Sequence, residues 1–244
     1  MLGALDFGMI PTSILTLMQA VCLVPPEFVS NCKSAKEKGD RLEYSKERTF
    51  AYELYRQWEN LIENNEEDMV INAEVPKKIS VDKYNEILSS IFGYTNTGKM
   101  RTCFFPDLVY HHSQYDSNNQ ELVCEIKTLD GLNKKNSPKL MTDLKKLSAY
   151  MKAGTILIHP FKTGVFVLLG GNMKDIKRRY RKTDIVEEKA KDIFCITYNI
   201  TKTDNDDYVP IIEVMNLSTI ITHGFNYLDS KTRSYFQIIK KTEI

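Results

Sequence analysis

Between Cys103 and Thr128, in CFFPDLVYHHSQYDSNNQELVCEIKT, two carboxylates and an ammonium interrupt runs that are otherwise apolar. Asp107 follows Pro106, seventeen residues separate it from Glu125, and Lys127 stands two beyond, a P-D-x17-E-x-K pattern. Carboxylate oxygens suit a hard divalent cation that keeps several of its waters, and an ammonium beside them suits an anionic oxygen. Brought to one point, the three side chains would form a site for one such cation and an activated water.

Meeting at one point requires two neighbouring strands. CFFPDLVYH and ELVCEIKT both read as strands, joined by a polar loop. Side chains alternate across a strand, so Val123, Glu125 and Lys127 share one face while Leu122, Cys124 and Ile126 take the other. Helices are expected on either side in sequence. Ser45 reads as the N-cap of a helix running to about Glu63, with Phe50, Leu54, Trp58 and Leu61 at helical spacing. Ser137-Pro138 opens a second helix, with Leu140, Leu144, Leu147 and Met151 as its apolar stripe and Gly154 as its stop. Further strands are expected at Met69–Val75, Thr155–His159, Gly164–Leu169, Ile193–Ile200, Pro210–Met215 and Ser234–Ile239. Further helices are expected at residues 80–92, at Asn172–Lys182 and at Ile185–Lys191, with a turn at Asp130-Gly131. This order argues an α/β protein with a central mixed sheet and helices on both faces.

Length and composition bound the function classes. The chain has 244 residues, 42% hydrophobic and 27% charged, with a net charge of +1, which suits one ordinary globular domain. Charge is unevenly spread: Lys127 to Lys182 holds fourteen basic residues against three acidic, a balance of +11, and the remainder carries −10. That asymmetry can draw phosphate to one face, and equally describes solvated helix surfaces. Lys177, Arg178, Arg179, Arg181 and Lys182 are the candidates to grip a nucleic-acid backbone. Five cysteines without a CxxC pair indicate neither a zinc knuckle nor a disulfide framework, and point to a reducing cytoplasm. Met1 to Val24 carries one charge, Asp6; it lacks the basic start of a signal peptide, and its unbroken apolar part is too short to span a bilayer. A buried helix is expected there, capped by Thr12 or Ser13, with Ile14, Leu17, Met18 and Val21 on one face. Gly170-Gly171 lacks the lysine and hydroxyl residue of a phosphate loop.

The proline-aspartate on one hydrophobic strand, the E-x-K on the next and the two flanking helices together resemble the PD-(D/E)xK nuclease superfamily, over roughly Ser45 to Leu169. The resemblance implies a three-layer αβα, restriction-endonuclease-like core and hydrolysis of phosphodiester bonds, with a DNA endonuclease as the expected activity. Asp107 and Glu125 would ligate Mg2+, with Mn2+ as a substitute, the carbonyl of Ile126 would complete the protein ligation, and Lys127 would orient the attacking water. Members often add a glutamate from the first helix. Glu47, on the apolar stripe, is preferred here to Glu53, which lies with Thr49, Gln57 and Asn60 on the polar side. The glutamine-tyrosine motif of the following helix is absent; Asp143, Lys146 and Tyr150 stand there instead. One domain is expected, with residues 1–44 as a helical extension, 45–170 as the core and 171–244 as an elaboration. Partners would be nucleic acid, DNA ahead of RNA, with no membrane and room for a homodimer. Three readings compete with catalysis at these residues: a buried Lys127–carboxylate salt bridge, a nucleic-acid-binding or scaffold protein that keeps the fold without cleaving, and a membrane-associated protein resting on residues 1–24. His111, His112 and His159 are strand-end residues with at most an accessory role.

Overall fold

Runs of β-branched and large apolar residues become strands, and runs with apolar residues three and four apart become helices. The computed structural model describes residues 11–29, 43–62, 69–73, 77–78, 103–104, 106–112, 120–133, 139–152, 160–202 and 208–224. In chain order these form α1 (Thr12–Leu23), α2 (Glu43–Ile62), β1 (Met69–Ala73), β2 (Lys77–Lys78), β3 (Cys103–Phe104), β4 (Leu108–His112), β5 (Gln120–Thr128) and α3 (Leu129–Asn133). They continue with α4 (Lys139–Tyr150), β6 (Thr163–Leu169), α5 (Met173–Arg179), α6 (Asp184–Lys189), β7 (Ile193–Lys202), β8 (Tyr208–Asn216) and α7 (Leu217–Thr222).

One mixed sheet organises the molecule, in the order β1-β4-β5-β6-β7-β8. β5, β6 and β7 run parallel, and the other three pairings are antiparallel. Every residue of β6 is buried, as a central parallel strand covered on both faces requires. Alternation along β5 divides two apolar cores. Val123, with Val109, Phe166 and Leu168, packs under Leu140, Leu144 and Leu147 of α4 and under α5 to α7. Leu122, Cys124 and Ile126, with Leu108 and Val167, pack under Ile14, Leu17 and Val21 of α1 and Phe50, Leu54 and Trp58 of α2. The α/β class, the mixed sheet and the two-faced helical cover therefore match the sequence reading.

Several boundaries differ, each for a local reason. Cys103–Phe104 does not continue into β4 but pairs with Lys77–Lys78 in a separate two-stranded ribbon. Pro106, with no N–H to give a ladder, separates the two strands and leaves Asp107 at a bend just before β4. Helix α2 starts at Glu43, so Ser45 lies in its first turn and not at its cap. Pro11 caps α1 and no side chain bonds its first amides, so neither Thr12 nor Ser13 does so. Asp130-Gly131 lies inside the short helix α3, and α7 follows β8 in a stretch with little sequence pattern. The expected strands Thr155–His159 and Ser234–Ile239, the helix at 80–92, and Ser137-Pro138 and Gly154 lie outside the described residues.

The cores cross the divisions at 44/45 and 170/171. α1 shares its core with α2, and Tyr198 on β7 donates a buried 2.8 Å hydrogen bond to the Val24 carbonyl. No helix among the described residues is long and apolar enough to cross a membrane. Trp58 joins the layers: it is fully buried, its ring centroid lies 5.2 Å from that of Tyr110 on β4, and its Nε1 donates to Thr16 on α1 at 3.4 Å. Trp58→Ala should cost about 3–5 kcal/mol in urea unfolding, because no neighbouring side chain can fill an indole-sized void.

Candidate functional site

The C-terminal half of β5 carries the charges, and four other elements converge on it. Asp107 at the entrance to β4 is bound to β5 twice. Its amide donates to the Cys124 carbonyl at 3.1 Å, and its Oδ2 accepts from the Ile126 amide at 2.6 Å. The carboxylate thus continues the strand ladder where the backbone of β4 has ended. Burial pushes the Asp107 carboxyl above its ordinary value, and the Lys127 ammonium and the Ile126 amide oppose that rise.

Lys127 gathers carboxylates from both helical layers. Its Nζ lies 3.5 Å from Glu47 Oε2 on α2, 4.0 Å from Asp107 Oδ2 and 4.0 Å from Asp143 Oδ2 on α4, and donates to the Ile126 carbonyl at 2.9 Å. Burial works against its charge, yet Asp143, Asp107, Glu47 and Glu125 outweigh burial and hold the ammonium well above the usual lysine value. Glu47 is fixed at its other oxygen: Oε1 accepts from the Thr128 amide at 3.0 Å and the Thr128 hydroxyl at 3.2 Å. Glu53 is also buried, but it is bonded to Arg56 and Gln57 within its own helix and forms no part of this cluster.

Glu125 is the most enclosed member, with a side chain only 1% exposed. Its Oε2 lies 3.7 Å from Lys146 Nζ, and its Oε1 is out of water with no hydrogen-bond partner. Lys146 also donates to Asp143 Oδ1 at 3.1 Å, while Asp143 Oδ2 is a second buried oxygen without a hydrogen bond. Burial drives the Glu125 carboxyl far up; Lys146 offsets this in part, and Asp107 and Asp143 add to it. Burial is likewise the main cause of the raised Tyr150 hydroxyl, to which Glu125, Asp107 and Asp143 add, placing that side chain in the same field. Lys146 is shifted upward because Glu125 and Asp143 overcome its own burial.

The chain thus brings together Asp107, Glu125, Lys127, the Ile126 carbonyl and Glu47, the residues singled out in the sequence. Asp143, Lys146 and Tyr150 join them. The sequence placed them on that helix without a role, and only the packing of α4 on β5 gives them one. Thr128 and Gly131 are additions. Thr128 carried a weak signal, a polar residue at an inward-facing strand position; Gly131 carried none.

The basic residues divide. Lys177 donates to the Ile220, Ile221 and His223 carbonyls and closes the end of α7, and Arg179 bonds the Asp175 carboxylate and carbonyl within α5. Arg178, Arg181 and Lys182 are exposed but not unengaged: Arg178 lies 3.6 Å from Asp175, Lys182 lies 3.1 Å from Glu187, and Arg181 donates to the Arg178 and Tyr180 carbonyls. His111 is engaged by Asn72 at 2.6 Å and by the His112 carbonyl at 2.5 Å, beside a register shift in the β4–β5 pairing, and belongs to the sheet end away from the charges. His159 lies outside the described residues.

Comparison of the chain with family models, with curated proteins and with solved structures gives no match. Among the described residues, no three His, Cys, Asp or Glu side chains stand grouped so as to hold a metal ion by themselves. The carboxylates are spaced by the two lysines. The unbonded oxygens of Glu125 and Asp143 nevertheless have the chemistry of cation ligands, since a buried anionic oxygen without a donor is costly unless a charge meets it.

Two outcomes follow from this geometry. A Cβ on Gly131 would stand 3.0 Å from both Glu47 Oε1 and Thr128 Oγ1. Gly131→Ala should therefore push Glu47 from Thr128, and backbone amide NMR should show the Thr128 signal shifting while those of β7 and β8 hold. The second outcome concerns pH. Glu125 has a folded-state value above the ordinary 4.5, so unfolding below that value releases no proton from it. As pH rises past 4.5 the unfolded chain ionises while the folded carboxyl does not, and stability falls until the folded group titrates. In chelator, urea midpoints should decline over that range for the natural chain, and Glu125→Gln should flatten the decline.

Proposed function

We propose that this protein is a magnesium-dependent nuclease with a restriction-endonuclease-like, three-layer core, hydrolysing phosphodiester bonds in nucleic acid, DNA ahead of RNA. The observation that carries the reading is a charge excess in an enclosed place. With every group ionised, Glu47, Asp107, Glu125 and Asp143 face two ammoniums, Lys127 and Lys146, a formal −2 with two buried oxygens unbonded, and burial together with that excess raises the Asp107 and Glu125 carboxyls where no cation meets them. One divalent cation matches both the sign and the size of that excess.

Asp107, Glu125 and the Ile126 carbonyl are the residues to hold magnesium, or manganese in its place. The ion would polarise a phosphoryl oxygen, lower the pKa of a bound water and offset charge on the leaving oxygen. Lys127 keeps its proton at neutral pH because carboxylates surround it. It therefore serves as a hydrogen-bond donor and point charge beside the water or the phosphate, and not as the base. Glu47 aims Lys127, and Thr128 aims Glu47. Arg178, Arg181 and Lys182, exposed at and after the end of α5, supply charge for a phosphate backbone.

Purified protein with magnesium or manganese should nick or cut duplex or single-stranded DNA. Lys127→Ala and Asp107→Asn should each lower the rate at least about 100-fold, and chelator should stop the reaction. Cleavage that survives both the variants and the chelator would sink the assignment, and tight DNA binding with no cleavage under any metal would return the non-cleaving scaffold in its place.

A further inference from the structure

Lys146 sits where the proposed chemistry would least expect a lysine. Its ammonium stands on Oε2 of Glu125, the carboxylate assigned to the metal, and its positive charge repels a cation arriving at that carboxylate. The two contacts of Lys146 are unequal. The 3.1 Å bond to Asp143 Oδ1 is a charge-assisted hydrogen bond from one turn earlier on the same helix. The 3.7 Å approach to Glu125 exceeds hydrogen-bond distance and is a charge attraction only. Oε1 of Glu125, in a side chain 1% exposed, has no hydrogen bond at all. The carboxylate is thus held weakly at one oxygen and not bonded at the other. The lysine side chain is 25% exposed, so its long stem can carry the head a short way outward while Asp143 still tethers it.

We infer that Lys146 is a second functional lysine of this site: a resident cation that competes with divalent metal for Glu125, and that Asp143 keeps within reach of the substrate phosphate. The inference rests on the nuclease reading above and adds to it a competition for one carboxylate and a second phosphate contact. Lys127 cannot take this part, because Glu47, Asp107 and Asp143 hold it at the end of β5. A lysine with a packing role alone would leave metal affinity unchanged, whereas a competing one lowers it.

The test is calorimetric titration of the full-length protein with manganese at neutral pH, followed by binding of a short DNA duplex in metal across a salt series. Lys146→Met should bind manganese at least about fivefold more tightly than the natural chain, Lys146→Arg should restore the weaker affinity, and Lys145→Met, on the same helix, should change nothing. The duplex should bind Lys146→Met more weakly, with a log K against log salt slope smaller by about one. Lys146→Gln serves in the same role if the methionine variant does not fold. Equal manganese affinity with and without the Lys146 charge overturns the inference, and the nuclease reading stands if uptake is still lost in Glu125→Gln. No uptake by the natural chain or by either Lys146 variant overturns both.

Discussion

Glu125 is a carboxylate in the middle of a parallel strand pair, covered by helices on both sides, and the rest of the site is arranged around the cost of keeping it there. An isolated ionised carboxylate in such a place is untenable. Two devices meet the cost in part: an ammonium from α4 at one oxygen, and a shift in the carboxyl's own affinity for its proton. Neither satisfies the second oxygen. Asp107 stands beside it for a related reason, since its carboxylate takes the Ile126 amide that the ended β4 backbone cannot serve. A fold concerned with stability alone would place leucine at 125, as it places valine at 123 and isoleucine at 126.

Much of this was legible in the sequence, and the limits of that legibility are instructive. The parity of Val123, Glu125 and Lys127 against Leu122, Cys124 and Ile126 follows from strand geometry alone and matches the division of the two cores. The stripes of α2 and α4 were equally plain, and Glu47, preferred for its place on the stripe, does reach the cluster, although Glu53, read on the polar side, is the more buried of the two. What could not be read was tertiary. Nothing local distinguishes Asp143 and Lys146 from an ordinary one-turn ion pair on a solvated face, and only the packing of α4 over β5 turns them inward. The break at Pro106 was visible as a residue but not as a consequence, because an apolar run with proline inside it reads as one strand or two with equal ease. Lys177 and Arg179 show the converse error. Composition groups them with the exposed Arg181, yet helix-end carbonyls and Asp175 had already claimed them, and Asp175 draws Arg178 as well.

The two lysines are not equivalent. Lys127 is surrounded from three elements and cannot shift without disturbing all of them. Lys146 is held firmly by one neighbour and loosely by another, both on its own side of the sheet. Rigidity in one and latitude in the other is a division that a site handling both a fixed water and an arriving polyanion can use.

The contact between Glu47 and Thr128 closes across 81 positions of chain and joins the layer of α1 and α2 to the end of β5. Through Lys127 it reaches Asp143 in the opposite layer. A contact of such long range carries a closure entropy that the intervening structure must offset. The cluster is thus whole only when both helical layers and the sheet are in place, and any activity it supports will report the integrity of all three layers at once. Partly folded forms, whichever layer they lack, should be silent.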